Sequence, residues 1–334
     1  MKRRERKMKK LVKGMMVAAL ATSLLVGCGS EKASQDVKKV AVIQYVEHTS
    51  LNTIKNAFDK QMQTLGYKDG ENVEYLFKNA QGDNNTAASI IQDFKGKNPD
   101  VVMAIATPVA QSAAKLATDT PVVFAAVSDP IGAKLTSSLE KPDKNITGTS
   151  DEIQVELILE KAMQVNPQLK KLGVIYNKGE ANSVTNINKA KAFAKEKGIE
   201  IVEATVTGVN EVQSAIDVLT AKSDAIFAPN DNTVASAMNV VSKACVKAKI
   251  PLYVGADSMV QDGGFLNVGI NYEDLGKETA NMVDQILKGK NVKDIPVKVF
   301  KDHLNIYVNE KIYQQLGIQL PDSISNDKSL SMMK

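Results

Sequence analysis

From Lys38 onward, short β-rich runs alternate with longer runs of helical periodicity. No other feature of the chain constrains its fold as much. Val40 to Ile43 reads as a strand; Leu51, Ile54, Phe58 and Met62 then share one helix face, which Gly66 ends. Val73 to Phe77 is the next strand, followed by the stripe Ala87, Ile90, Ile91 and Phe94. Val101 to Ile105 has the continuous apolar character of a buried strand, Pro108 to Leu116 is a helix, and Pro121 to Val127 a further strand. The series then restarts. Strands are expected at Leu172 to Tyr176, Ile201 to Val206, Ala225 to Ala228, Pro251 to Val254 and Leu266 to Ile270. Helices are expected at 183–197, 211–221, 232–248 and 273–288. Such βαβ repetition builds parallel sheets with helices on both faces, so the fold class is α/β.

Two series imply two Rossmann-like lobes. The expected lobes are 38–147 with about 272–300, and 148–271 with about 301–320. Residues 321–334 lack periodicity and read as a flexible tail.

The first 27 residues hold eight Lys or Arg against the single Glu5, and Gly14 to Val26 carries no charge. A basic stretch followed by a short apolar one is the layout of a secretory signal peptide, expected over 1–27. A spanning helix needs about 20 apolar residues, so this stretch is short for a permanent anchor. It ends in Leu25-Val26-Gly27-Cys28, which resembles the lipobox of bacterial lipoproteins. That resemblance implies a lipidated Cys28, with 28–37 as a small, polar tether and the protein held on the extracytoplasmic face of the membrane.

Removing that basic segment takes seven charges from the formal +4 and leaves −3, which offers nucleic acid no general attraction. Two cysteines and two histidines support neither a disulfide framework nor a Cys- or His-rich metal site, and no cofactor is implied. No GxSxG, HExxH, P-loop or GxGxxG motif occurs, so nothing points to an enzyme.

In open α/β sheets, ligands sit at the carboxyl ends of strands beside helix N-termini. Those junctions are polar here. One holds Tyr45, His48 and Ser50; others hold Thr107, then Ser128 and Asp129, then Thr149 at the lobe boundary. The second series contributes Tyr176, Glu180, Asn182 and Ser183, then Asp231 and Asn232, then Asp257. Taken singly, capping explains most of them. Taken together, they suit a zwitterion. Thr107 and Ser128 would join helix N-termini on a carboxylate, while Asp231, Glu180 or Asp257 would take an ammonium. Tyr45 and Tyr176 are candidates for an aromatic wall, whereas Phe124 and Tyr253 read equally well as core.

These blocks carry a family resemblance. Ile43-Gln44-Tyr45-Val46-Glu47-His48-Thr49-Ser50-Leu51, Ala104 to Pro108, Pro121 to Pro130 and Asn145 to Gly148 resemble substrate-binding lipoproteins of ABC transporters, of the tryptophan or aromatic amino-acid type. Tyr176-Asn177-Lys178-Gly179-Glu180-Ala181-Asn182-Ser183 and Pro229 to Ser236 are the most distinctive matches. Thr49 stands where that family usually has proline, and Asn230 where it usually has threonine.

The resemblance spans about residues 38–320. It implies a type I periplasmic-binding-protein fold with a central cleft and three crossings between lobes. It also implies capture of an amino acid without catalysis, and partnership with a permease and an ATPase. A monomer is expected. The alternatives are a different solute (branched amino acid, nucleoside or sugar) in the same fold, or a ligand-sensing lipoprotein.

Overall fold

The computed structural model describes residues 37–302 and 304–334. The expected signal peptide, Cys28 and all but the last residue of the tether lie outside the described residues, as does His303.

Two sheets organise the chain. The first contains β1 (Lys38–Gln44), β2 (Val73–Asn79), β3 (Val101–Ile105), β4 (Val122–Ala125), β5 (Ile146–Ser150) and β11 (Lys298–Val299). Their order is β11-β5-β4-β3-β1-β2, and every pair is parallel. The second contains β6 (Lys171–Asn177), β7 (Glu200–Val206), β8 (Ala225–Ala228), β9 (Leu252–Val254), β10 (Leu266–Gly269), β12 (Asn305–Asn309) and β13 (Leu330–Met333). Their order is β13-β12-β10-β9-β8-β6-β7, with only β10 and β12 antiparallel.

In the first lobe, α1 (Thr49–Thr64), α2 (Asn84–Lys97) and α3 (Thr107–Ala113) follow β1, β2 and β3. In the second, α5 (Ala181–Lys197), α6 (Val212–Thr220), α7 (Asn232–Ser236), α8 (Met238–Ala248) and α9 (Asp257–Gln261) alternate with strands, after α4 (Val155–Val165). The chain ends with α10 (Tyr272–Leu287), α11 (Glu310–Leu316) and α12 (Asp322–Ser325). The helix α4 has no counterpart among the sequence-expected elements, although Val155, Ile158, Leu159 and Ala162 form a buried i, i+3, i+4, i+7 stripe.

Sheet membership fixes where the chain passes between lobes. The first passage follows Ser150, because β5 stays in the first sheet to that residue, three positions beyond the expected boundary at 147. The second lies between Gly269 and Tyr272, and the third between Phe300 and Asn305.

Two further expectations need correction. Residues 321–334 are not a loose tail: β13 pairs in parallel with β12, Ile306 opposite Leu330, and Ile324 of α12 is fully buried. A four-residue edge strand is too short to show alternation, which is why its sequence looks structureless. The single helix expected over 232–248 is two helices. Ala237 leaves helical geometry (φ −114°, ψ 19°), its N–H bonds the Val234 carbonyl, and the Ser236 hydroxyl bonds back to the Asn232 carbonyl.

The helix α10 returns to the first lobe and packs on α1. Their closest approach is at Gly276, where an added Cβ would stand 2.4 Å from the Ile54 carbonyl oxygen and 2.8 Å from the Ala57 Cβ. Backbone cannot yield as a flexible side chain does. The substitution Gly276→Ala is therefore expected to lower stability by about 1–3 kcal/mol, seen as a lower midpoint in thermal unfolding; an unchanged midpoint would contradict this packing.

Candidate functional site

Between the lobes lies a small cavity of about 20 Å³, room for about one water molecule in this closed arrangement. Its walls come from both lobes and from the passages that join them. The first lobe gives His48, Ser50 and Leu51 from the start of α1, with Ala106 and Ala126 from the ends of β3 and β4. The second gives Asn182, Asn230 and Asn232, with Ala235 and Met259. Asp151 comes from the first passage and Tyr272 from the end of the second.

The backbone is strained at this cavity. Ala106 (φ 88°, ψ 155°) caps α3 and Ala126 has φ 56°, both in regions that favour glycine. Thr107 is accordingly the first helical residue rather than the expected cap. Its hydroxyl is buried and unpartnered beside the first turn of α3. Two lining residues also carry buried polar atoms without partners, Nδ1 of His48 and Oδ1 of Asn182. Buried polar atoms are nearly always paired in native proteins, so such a group facing a cavity calls for a ligand.

Asp151 is the charged group of this site. It is 4% exposed; its Oδ1 accepts the Ser128 hydroxyl at 3.0 Å, and its Oδ2 accepts Asn230 Nδ2 and the Tyr272 hydroxyl, each at 2.7 Å. Burial pushes its pKa up despite these donors. No lysine or arginine lines the cavity, so a positively charged ligand group would be its counter-ion.

The remaining sequence candidates are placed differently. Asp231 is fully buried and caps α7; its carboxylate accepts from the N–H groups of Val234 and Asn177 and from the Ser183 hydroxyl. Glu180 accepts from the N–H and Nδ2 of Asn232 and from the N–H and hydroxyl of Thr233. Neither lines the cavity, and burial raises both pKa values; the charge of Asp231 adds to the effect on Glu180, which reaches about 8.

Asp257 begins α9, and its Oδ1 accepts the Ser258 N–H. Asp129 accepts the Gly132 N–H, and Thr149 bonds Thr279 inside the first lobe. The expected aromatic wall does not form: Tyr45 donates to the Gly82 carbonyl and Tyr176 to Glu203. Ser128, expected on a ligand carboxylate, is held by Asp151 and by Asn230 Nδ2. His48, Ser50, Asn182 and Asn232 do come together on the cavity; Asp151, Asn230 and Tyr272 were not among the expected site residues. The signal for them was position alone, since all three stand at or next to strand ends or lobe passages.

Direct bonds close the cleft. His48 Nε2 meets Asn232 Oδ1 at 3.2 Å, Thr49 donates to Asp262 at 2.9 Å, and the hydroxyls of Ser50 and Ser258 are 2.5 Å apart.

A family model for ABC transporter substrate binding proteins matches residues 39–329. The chain is 37% identical over 324 residues to a tyrosine-binding protein of Clostridioides difficile strain R20291, covering 94% of each. It is similar to an ABC domain from Streptococcus pneumonia solved in complex with L-Trp, with a TM-score of 0.84 and 37% identity over 89% of this chain and 100% of that one. It is also similar to a ligand-free, open substrate-binding protein with adhesive properties from Clostridium difficile, with a TM-score of 0.66 and 40% identity over 89% and 99%.

Proposed function

This chain belongs to the ABC transporter substrate-binding protein family, whose members bind solutes rather than convert them, and from that premise we propose that it captures an aromatic amino acid between its lobes for delivery to a permease. The observation that carries this reading is Asp151, a buried carboxylate without a cation in a cavity shared by both lobes. The ligand ammonium pairs with Asp151. Its carboxylate meets the first turn of α3 and the Thr107 hydroxyl, which supply donors where no cation lines the wall. Leu51, Ala235, Met259 and the ring of Tyr272 are the apolar part of the wall, which an apolar or aromatic side chain would meet once the lobes part to admit it. Relatives titled for tyrosine binding and for an L-Trp complex support the aromatic class.

Substrate-binding proteins of ABC transporters work outside the cytoplasmic membrane. Lipidation of Cys28 would hold this one there as a monomeric lipoprotein, a reading supported by the basic, apolar and small residues that precede the thiol. Among the described residues no helix is long and apolar enough to cross a membrane.

A thermal-shift titration tests the proposal. L-Tryptophan and L-tyrosine are expected to raise the melting midpoint, by more than leucine, glucose or adenosine does, and the protein is expected to leave the membrane fraction when Cys28 is replaced by Ala. A larger shift with a sugar or nucleoside would overturn the ligand class, and retention of the Cys28→Ala protein on membranes would overturn the anchor.

A further inference from the structure

Three side chains run in series from the interior of the second lobe to the cavity: Glu180, Asn232 and His48. Glu180 is 1% exposed, and its Oε2 receives two donors from Asn232, the backbone N–H at 3.0 Å and Nδ2 at 2.5 Å. Its Oε1 receives the Thr233 N–H at 3.1 Å and the Thr233 hydroxyl at 3.0 Å. Each oxygen thus receives one backbone N–H, and when Glu180 is ionised both oxygens can only accept, from the Asn232 amide nitrogen on one side and the Thr233 hydroxyl on the other. The amide of Asn232 therefore has one orientation, with Nδ2 toward Glu180 and Oδ1 toward the first lobe. That oxygen lies 3.2 Å from His48 Nε2 and can only accept. His48 must then carry hydrogen on Nε2. In the neutral ring Nδ1 is bare, and that atom is buried without a partner in a residue that lines the cavity.

We propose that Glu180 is a positioning residue which, through Asn232, holds His48 in the Nε2–H tautomer across the closed cleft and leaves Nδ1 to accept an N–H or O–H donor of the ligand. The proposal rests on the ligand site described above, and it adds a polarity to it. The ligand group beside His48 is a donor, such as an ammonium, an indole N–H or a phenol, and a carboxylate there is excluded. It also makes the tautomer a consequence of closure, because His48 and Asn232 belong to different lobes.

The protein has two histidines, so ¹⁵N labelling of histidine gives two rings, and His303→Gln assigns them. Closure can be imposed without ligand. The Ser50 and Ser258 hydroxyl oxygens lie 2.5 Å apart, so Ser50→Cys with Ser258→Cys places a disulfide across the cleft. In the locked, ligand-free protein at about pH 9, where Glu180 is ionised, His48 is expected to be neutral with its hydrogen on Nε2.

In the same background Glu180→Gln is expected to disturb that state. A glutamine must turn its NH₂ toward one of two fixed backbone N–H groups. An NH₂ turned toward Asn232 also drives its side-chain amide to flip, which presents Nδ2 to His48, and the ring then needs its hydrogen on Nδ1. The unlocked Glu180→Gln protein is expected to bind L-tryptophan about tenfold more weakly, with a lower unfolding midpoint as well, so the tautomer in the locked protein is the readout that a merely structural role would not move. Hydrogen on Nδ1 in the locked parent protein would overturn the proposal without any substitution at Glu180. So would a Glu180→Gln protein that keeps both the tautomer and the affinity. If L-tryptophan fails to bind while the locked protein shows hydrogen on Nε2 that Glu180→Gln displaces, the relay stands and the aromatic amino-acid reading falls.

Discussion

Replacing Asp151 by Asn is expected to weaken L-tryptophan or L-tyrosine binding by about 10²–10³-fold in calorimetric titration, while the free protein melts within a few degrees of the parent. Breaking a buried ion pair by removing one partner costs about 3–5 kcal/mol, because the other charge remains desolvated. Here the charge left behind is the ligand ammonium. The free protein tolerates the change for a separate reason. An asparagine oxygen in the place of Oδ2 still accepts from Asn230 Nδ2 and the Tyr272 hydroxyl, and its Nδ2 in the place of Oδ1 can donate to a rotated Ser128 hydroxyl. It also removes a carboxylate whose ionised form burial disfavours.

Asp231→Asn should show the reverse pattern. Its three donors are two backbone N–H groups and the Ser183 hydroxyl, so an amide there would face an N–H and lower the melting midpoint. Parent-like affinity in Asp151→Asn, or a larger loss of affinity in Asp231→Asn, would move the ammonium site away from the lobe passage.

That contrast also marks how far the sequence could be read. Strand and helix order came from periodicity, because Val101 to Ile105 and the stripe Leu51, Ile54, Phe58 and Met62 are buried as their patterns require. The rim of polar strand ends followed from α/β geometry. Choosing among the carboxylates on that rim did not follow. Asp231, Glu180 and Asp257 each stand at a helix start, and a carboxylate there can turn inward to backbone N–H groups or outward to a ligand with the same sequence pattern. The choice depends on which N–H groups the neighbouring loop brings near. For Asp231 these include Asn177, 54 residues away. Asp151 stands just past the boundary expected at Thr149, and nothing in the residues themselves shows that β5 runs on to Ser150 and delivers this carboxylate to the passage. The aromatic wall failed for a similar reason. Tyr45 and Tyr176 stand beside polar loops as expected, but each hydroxyl found an acceptor within its own lobe.

Affinity is expected to fall as pH is lowered below about 6.5, by up to about tenfold per unit toward pH 5, and to be flat just above neutrality. The group responsible is His48. Burial in the closed structure lowers its pKa from 6.5 to about 4, while in an open cleft it would titrate near its ordinary value. A closed-state pKa depressed in this way makes closure favourable when the ring is already neutral. Below pH 6.5 the open protein binds a proton that must leave before the cleft shuts, so each unit of acid weakens binding until the closed-state value is reached.

The other titrating groups near the ring can be separated from it. Asp151 lies in the same cavity, but its ammonium partner keeps it ionised in the complex, and an open-cleft carboxylate is already ionised above pH 5. Glu180, behind Asn232, takes its hydrogen bonds from Asn232 and Thr233 of its own lobe, so its proton does not depend on closure. Asp257 is pushed up to about 6 by burial and acts with the opposite sign, since its contribution to the folded state is lost as pH rises through that value. The slope should therefore persist, and steepen if anything, in Asp257→Asn, and it should vanish in His48→Asn, whose amide has no proton to release. An equal slope in His48→Asn would assign the linkage to another group, and a flat profile in the parent protein would mean that His48 is already enclosed before the lobes meet.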